Sequence, residues 1–157
     1  MYMSKTNAIR ILEAKKITFS FLEYEYDEDN LNAVEAARKI GAEVESVFKT
    51  LVTHGNKTGI NVFCIPANFE LDLKKAAKAS GNKSLEMVKV KELFDLTGYI
   101  RGGCSPIGMK KDYPIYIDEI ALLFPEIYVS AGMRGVQIKI APQDLQKATG
   151  AMFVGIT

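Results

Sequence analysis

Apolar and polar positions along the chain alternate between a helical and a strand period, and the switches mark out the elements. Ala8, Ile9, Ile11 and Leu12 share one face of a first helix, which Ser4 or Thr6 can cap and which Lys15 and Lys16 close at the negative end of its dipole. Residues 19–26 are rich in aromatic β-formers without a clean alternation and predict a strand. Asn32 then caps a short helix through Ile40, with Gly41 as its left-handed stop. Two apolar runs, 47–53 and 60–66, flank Gly55-Asn56-Lys57-Thr58-Gly59 and predict a hairpin. Leu71, Leu73, Ala76, Ala77 and Ala79 suit a helix over 72–80 stopped by Gly81, with its lysines mostly on the other face, and a further helix spans 91–96. After Gly98 a strand is expected near Tyr99 and Ile100, and another over 114–118. Residues 127–131 and 136–140 flank the turn Gly132-Met133-Arg134-Gly135, Pro142 opens a last helix through Ala148, and 152–155 add an edge strand. Helices scattered among hairpin-connected strands give one mixed α/β (α+β) domain over residues 1–157, with a mostly antiparallel sheet surrounded by helices.

One segment does not belong to this regular pattern. Gly102-Gly103-Cys104-Ser105-Pro106-Ile107-Gly108 sets three glycines around a rigid Ser-Pro step. Glycine loses more backbone entropy on folding than any other residue, so the segment needs positive φ or close backbone approach. It is either a tight interstrand turn or a loop whose N–H groups hold a carbonyl, carboxylate or phosphate oxygen. A second irregularity is Lys49, a lone cation inside the apolar run Phe48-Lys49-Thr50-Leu51-Val52, which must snorkel to water or face a cleft.

Composition narrows the classes. With 157 residues, 48% of them apolar and 25% charged, the chain is an ordinary folded domain and neither disordered nor fibrous. Lys5, Arg10, Lys15 and Lys16 interrupt its first turns, so no secretory signal is expected, and no apolar run approaches the roughly 20 residues that span a bilayer. A cytoplasmic location follows, with no membrane partner. Cys64 and Cys104 lack metal-ligand spacing and His54 is the single histidine, so neither a zinc centre nor a cofactor is expected. A net charge of +1 argues against general affinity for DNA or other nucleic acid. The charge is nevertheless uneven: Glu23, Glu25, Asp27, Glu28 and Asp29 cluster early, whereas Lys74, Lys75, Lys78, Lys83, Lys89 and Lys91 follow Leu71, and Lys110 and Lys111 follow the glycine loop.

Cys104 and Ser105 have no visible base, because His54 lies at a strand end, so neither reads as an activated nucleophile and Cys104 reads as a spectator. Lys49 is the stronger candidate: in a partly desolvated pocket a lysine can hold a phosphate, polarise a carbonyl, or lose its proton and act as a base. Tyr24 can stack on a base or meet a ribose, or be an ordinary half-buried sheet tyrosine. Ser130-Ala131-Gly132 again puts small residues at a strand end.

Taken in order, Val47-Phe48-Lys49-Thr50-Leu51, Leu71-Asp72-Leu73-Lys74-Lys75, Thr97-Gly98-Tyr99, the 102–108 loop and Tyr128-Val129-Ser130-Ala131-Gly132 resemble the YbaK family of aminoacyl-tRNA deacylases over nearly the whole chain. The resemblance implies a domain with a central barrel-like sheet, related to the editing domain of bacterial prolyl-tRNA synthetases. It implies trans editing, the release of cysteine from mischarged Cys-tRNA(Pro), with the 3′ end of the tRNA as ligand and prolyl-tRNA synthetase as a partner. It also implies that the substrate thiol attacks its own ester, so that no protein nucleophile is needed. Carried over by position, Lys49, Gly102 and Gly103 are the catalytic set, and Tyr24, Thr50, Ser105, Pro106, Gly108, Ser130 and Gly132 the binding set. Two positions depart from a well-known member: Leu31 replaces an aromatic residue and Gln137 an aspartate. The same scaffold also fits a deacylase for alanyl or seryl esters using an activated water, or a nucleotide-binding module without chemistry.

Overall fold

The structure is a computed structural model that describes residues 5–157. In chain order its elements are α1 (Asn7–Ala14), β1 (Ser20–Glu23), α2 (Ala33–Ile40), β2 (Phe48–Gly55), β3 (Gly59–Pro66), α3 (Leu73–Ala79), β4 (Leu85–Met87), α4 (Val90–Thr97), β5 (Ile115–Asp118), β6 (Ile127–Ser130), β7 (Val136–Ile140), α5 (Pro142–Thr149) and β8 (Met152–Val154), with 3-10 turns at Val44–Ser46 and Glu119–Leu123. Thr6 is the cap of α1: its hydroxyl accepts from Ile9 N–H at 3.2 Å and donates to the Ala131 carbonyl at 2.5 Å, tying the helix to the end of β6. Ser4, the other candidate, lies outside the described residues.

The strands form two sheets, in the orders β1-β7-β6 and β4-β2-β3-β5-β8. Pairing is antiparallel except for β3–β5 and β5–β8, so the mostly antiparallel expectation holds. The barrel-like sheet does not: β2 already pairs with β3 along its length and with β4 at its end, and only Val47, just ahead of β2, bridges to Tyr128 of β6. Past that bridge the sheets part instead of closing into a barrel.

Burial explains the sequence pattern. Cys64 of β3 enters the main core with Leu12, Ile117, Val129, Ile138 and Leu145, while its neighbours Phe63 and Ile65 pack on the opposite face with Ala76 and Ala77 of α3. Because both faces of β3 are covered, residues 62–66 read as a continuous apolar run without alternation. The strand expected at Tyr99 and Ile100 is absent. The Thr97 hydroxyl accepts from Tyr99 N–H at 3.0 Å and donates to the Leu93 carbonyl at 2.8 Å, so the Tyr99 amide is held by a side chain and not by a ladder. Three-residue β4 carries too few positions for any periodicity to reveal it. Among the described residues, no helix is long and apolar enough to cross a membrane.

The hairpin that carries Lys49 is anchored at its far end by one buried side chain. Asn82 Oδ1 accepts from Lys57 and Thr58 N–H at 2.9 and 2.8 Å, and its Nδ2 donates to Thr58 Oγ1 and Ser80 Oγ at 2.8 and 2.9 Å. Gly55 leaves room for it, since a Cβ there would fall 2.3 Å from Asn82 Cγ. Asn82→Ala is expected to lower stability by about 2–3 kcal/mol in urea denaturation, because it strips two turn amides of their acceptor.

Candidate functional site

Where β2 and β6 part, they enclose a cleft of about 320 Å³. One wall comes from β2 as Lys49, Thr50 and Leu51; the facing wall comes from the other sheet as Ser130, Gln137 and Tyr24. Register explains the second group. Ser130 and Gln137 stand directly opposite each other across β6 and β7, and Tyr24 N–H donates to the Gly135 carbonyl at 2.9 Å, which prolongs β1 alongside them. The start of α2 contributes Ala33 and Ala36, and the glycine loop closes the cleft with Arg101, Gly102 and Cys104.

Lys49 is half-buried, and its Nζ donates to the Ala67 carbonyl at 3.1 Å. Partial burial holds its pKa below the usual lysine value, and the negative charge of Glu70 opposes that shift. Ser130 Oγ accepts from Gly132 N–H at 3.2 Å, and the Thr50 hydroxyl lies 3.8 Å from Cys64 Sγ across the hairpin. Gln137 is only 6% exposed, and its Oε1 is buried without a hydrogen-bond partner among the described residues. An unpaired carboxamide oxygen in a cleft wall disfavours the empty state and favours a ligand that donates to it.

The glycine loop meets both requirements that its composition suggests. Gly102 has φ +84°, in the left-handed region, and a Cβ there would approach Leu31 Cβ to 3.2 Å. A Cβ on Gly103 would come within 3.1 Å of the Met133 and Arg134 backbone, so the two loops pack main chain against main chain. Tyr99 supports them from below: its hydroxyl donates to the Ile107 carbonyl at 2.5 Å, and its ring lies where a Cβ on Gly132 would sit, 2.7 Å from Cε1.

Of the residues singled out from the sequence, the structure gathers Lys49, Tyr24, Thr50, Gly102 and Ser130 around one cleft. Gly103 and Gly132 lie behind the wall as points of close approach. Ser105 is fully buried, its Oγ accepting from Ile107 N–H at 3.2 Å, and it does not line the cleft. Pro106 and Gly108 border a different depression of about 290 Å³, beside Asn7 and Lys111. Sequence reasoning passed over Arg101, which carries no signal beyond its place before the loop, and took Asn32 only as a cap, a role it fills by accepting from Glu35 N–H at 2.9 Å.

Covalent catalysis by the protein finds no support in this geometry. Burial pushes the Cys104 thiol up to about 12, and Cys64 likewise to about 12, so both are neutral thiols at physiological pH. His54 sits at the hairpin end of β2, opposite Glu86 of β4, away from the cleft. Among the described residues no group of histidine, cysteine, aspartate and glutamate is placed to hold a metal ion. The cleft offers two cations, Lys49 and Arg101, with hydroxyls and carboxamides.

Such a cleft suits the binding and electrostatic polarisation of an ester, and a comparison with known families decides its kin. The family model for the aminoacyl-tRNA editing domain matches residues 27–148. The chain belongs to that family. A relative from Enterococcus faecalis, "Putative Cys-tRNA(Pro)/Cys-tRNA(Cys) deacylase EbsC", is 53% identical over 98% of this chain and 93% of its own length. YwhH of Bacillus subtilis is 24% identical over 78% of each protein. Among solved structures, a "putative trans-editing enzyme for prolyl tRNA synthetase" superposes with a TM-score of 0.82 at 30% identity, covering 96% of this chain and 94% of that one. The protein APE2540 superposes with a TM-score of 0.86 at 24% identity over 96% of this chain and 99% of its own, which shows the shared fold of the editing domain.

Both thiols of this editing domain are expected to resist iodoacetamide at neutral pH while the protein is folded and to react readily in denaturant, as followed by intact-mass spectrometry. Rapid labelling of native Cys104 would reinstate a protein nucleophile.

Proposed function

We propose that this chain is a trans-editing deacylase that removes cysteine from mischarged Cys-tRNA(Pro) in the cytoplasm, with the 3′ end of the tRNA in the cleft between the sheets and the editing domain extending over residues 1–157. The observation that carries the reading is the pairing of half-buried Lys49 with a cleft that has no activated nucleophile and no general base. A site so equipped must take its nucleophile from elsewhere, and a cysteinyl ester brings one. The name of the Enterococcus relative supports a cysteinyl-tRNA substrate, and that of the solved structure supports trans editing for prolyl-tRNA synthetase.

The need for such an activity is physical. A pocket shaped for proline rejects a side chain of nearly equal size by only about 1–3 kcal/mol, so a second site that tests another property is useful. Here the property is the thiol. Its sulfur attacks the ester carbonyl carbon, a C–S bond forms, the bond to the ribose oxygen breaks, and the thiol proton ends on that oxygen; the cyclic thiolactone then hydrolyses. The protein holds thiol and carbonyl in register and stabilises charge on the carbonyl oxygen. Lys49 supplies a cation for that charge or for the tRNA terminus. The Gly103 amide donates to the Ile100 carbonyl at 3.0 Å, so Gly103 serves the close approach of the loop, and Gly102 is the glycine that faces the ligand. Tyr24, Thr50 and Ser130 border the same space and position the aminoacyl group and terminal nucleoside. Ser105, Pro106, Gly108 and Gly132 shape the loop from outside the cleft. A net charge of +1 gives little counterion-release affinity, which suits presentation of the substrate by prolyl-tRNA synthetase.

Single-turnover deacylation of Cys-, Ala- and Ser-tRNA(Pro) by the wild type and Lys49→Ala tests this reading. Only the cysteinyl ester is expected to be cleaved, with a loss of about a hundredfold in the variant; cleavage of alanyl or seryl esters points to an activated water, and cleavage of none to a binding module. The pH profile carries a second check. Lys49 is required as an ammonium, and its pKa lies below the ordinary 10.5, so the enzymatic rate should fall as pH rises through that lowered value. Lys49→Arg, which stays charged, should lose this alkaline limb.

A further inference from the structure

We propose that Arg101 and Arg134 form a phosphodiester clamp at the mouth of the cleft, gripping the single-stranded RNA backbone that leads to the terminal nucleoside. The clamp rests on the reading of the cleft as an aminoacyl-tRNA site and names the part of that substrate held outside it.

Past Tyr24, Leu31 and Gly102 the cleft continues into a small side pocket bordered by Arg134, while Arg101 stands on the rim of the cleft itself. Arg134 Nε donates to the Arg101 carbonyl at 2.9 Å, which sets one guanidinium against the main chain that carries the other. Among the described residues, the remaining N–H groups of Arg134 and the whole guanidinium of Arg101 have no hydrogen-bond partner, and neither arginine is in an ion pair. No carboxylate lines the cleft, and Glu35, the one acid of the side pocket, is held by Arg38. The free guanidinium of Arg101 and Lys49 therefore share the cleft, and Arg134, bonded only through its Nε, borders the adjoining side pocket, in a chain whose net charge is only +1.

The pair is also preorganised. Main-chain contact between Gly103 and Met133–Arg134 locks the two loops together, and Gly102 at φ +84° turns the chain directly after Arg101. Guanidinium forks match phosphate oxygens, and N–H groups without an internal partner hold them with little rearrangement. With half-buried Lys49 inside and the arginines at the rim, the terminal nucleoside and its aminoacyl group lie between, and the arginines meet the phosphates that precede them.

The probe is a fluorescently labelled single-stranded RNA ending in CCA, with binding read by anisotropy across a salt series. Arg101→Gln/Arg134→Gln is expected to bind about tenfold more weakly and to flatten the slope of log affinity against log salt by about 1.4, the value for two single-strand phosphates. Arg101→Gln alone, whose side chain bonds nothing in the fold, should show about half that change of slope, and Arg101→Lys should restore it. Lys147→Gln, at an exposed position of α5 away from the cleft, should leave both affinity and slope unchanged. Absence of wild-type binding, an unchanged double variant, or an equal loss in Lys147→Gln overturns the clamp. Deacylation run in parallel separates the two readings: RNA binding with the predicted slopes and no ester cleavage removes the proposed reaction and keeps the clamp, whereas cleavage with unchanged slopes does the reverse.

Discussion

One backbone bridge, Val47 to Tyr128, ties β2 to β6 at the edge of the core that the two sheets share, and the geometry of the cleft depends on it. Val47 is fully buried beneath Ala37 of α2, and its carbonyl accepts from Ala67 N–H at 2.7 Å. That contact holds β2 beside β6 at one end; β2 is committed to β3 and β4, so nothing zips the sheets together beyond it. Two ladders packed on one core and joined along their backbones at one bridge leave a wedge between β2 and β6. Small residues on α2, Ala33, Ala36 and Ala37, let the helix sit close enough to cap the wedge without filling it.

Desolvation then sets the chemical character of the wedge. The same partial burial that depresses Lys49 raises the thiol of Cys104, so the cleft has a cation near its wall and no thiolate beside it. Those shifts fit catalysis by charge stabilisation and positioning better than covalent catalysis. Gln137 adds a neutral acceptor that has no partner among the described residues, where an aspartate would have added a negative charge opposed to any bound phosphate or oxyanion. The cleft itself carries Lys49 and Arg101 and no carboxylate, which favours an anionic ligand with a polar, hydrogen-bond-donating head.

Much of this was legible in advance, and for identifiable reasons. Caps and stops act locally, so Asn32 with Gly41 and Pro142 delimit α2 and α5 as their types predict. The hairpins at 55–59 and 132–135 announced themselves by glycine spacing, and Lys49 by being a charge in an apolar run. Tyr99 and Ile100 misled because β propensity says nothing about Thr97 satisfying the Tyr99 amide from the side. Arg101 escaped notice because an exposed arginine becomes informative only once its neighbours in space are known to carry no carboxylate.

Most local elements, the mixed α/β class and the oddness of Lys49 and of the glycine loop were written in the amino-acid sequence by backbone sterics, capping and hydrophobic period, and the family by motifs in register along nearly the whole chain. Tertiary packing alone settled that the sheet is split and not a barrel, that Ser105, Pro106 and Gly108 turn away from the cleft while Gly102 faces it, and that Gln137 and Arg101 share the cleft with Lys49 while Arg134 borders the adjoining side pocket. Those outcomes rest on which strands pair, on contacts between residues far apart in the chain, and on how much water each side chain loses, quantities that no local pattern encodes.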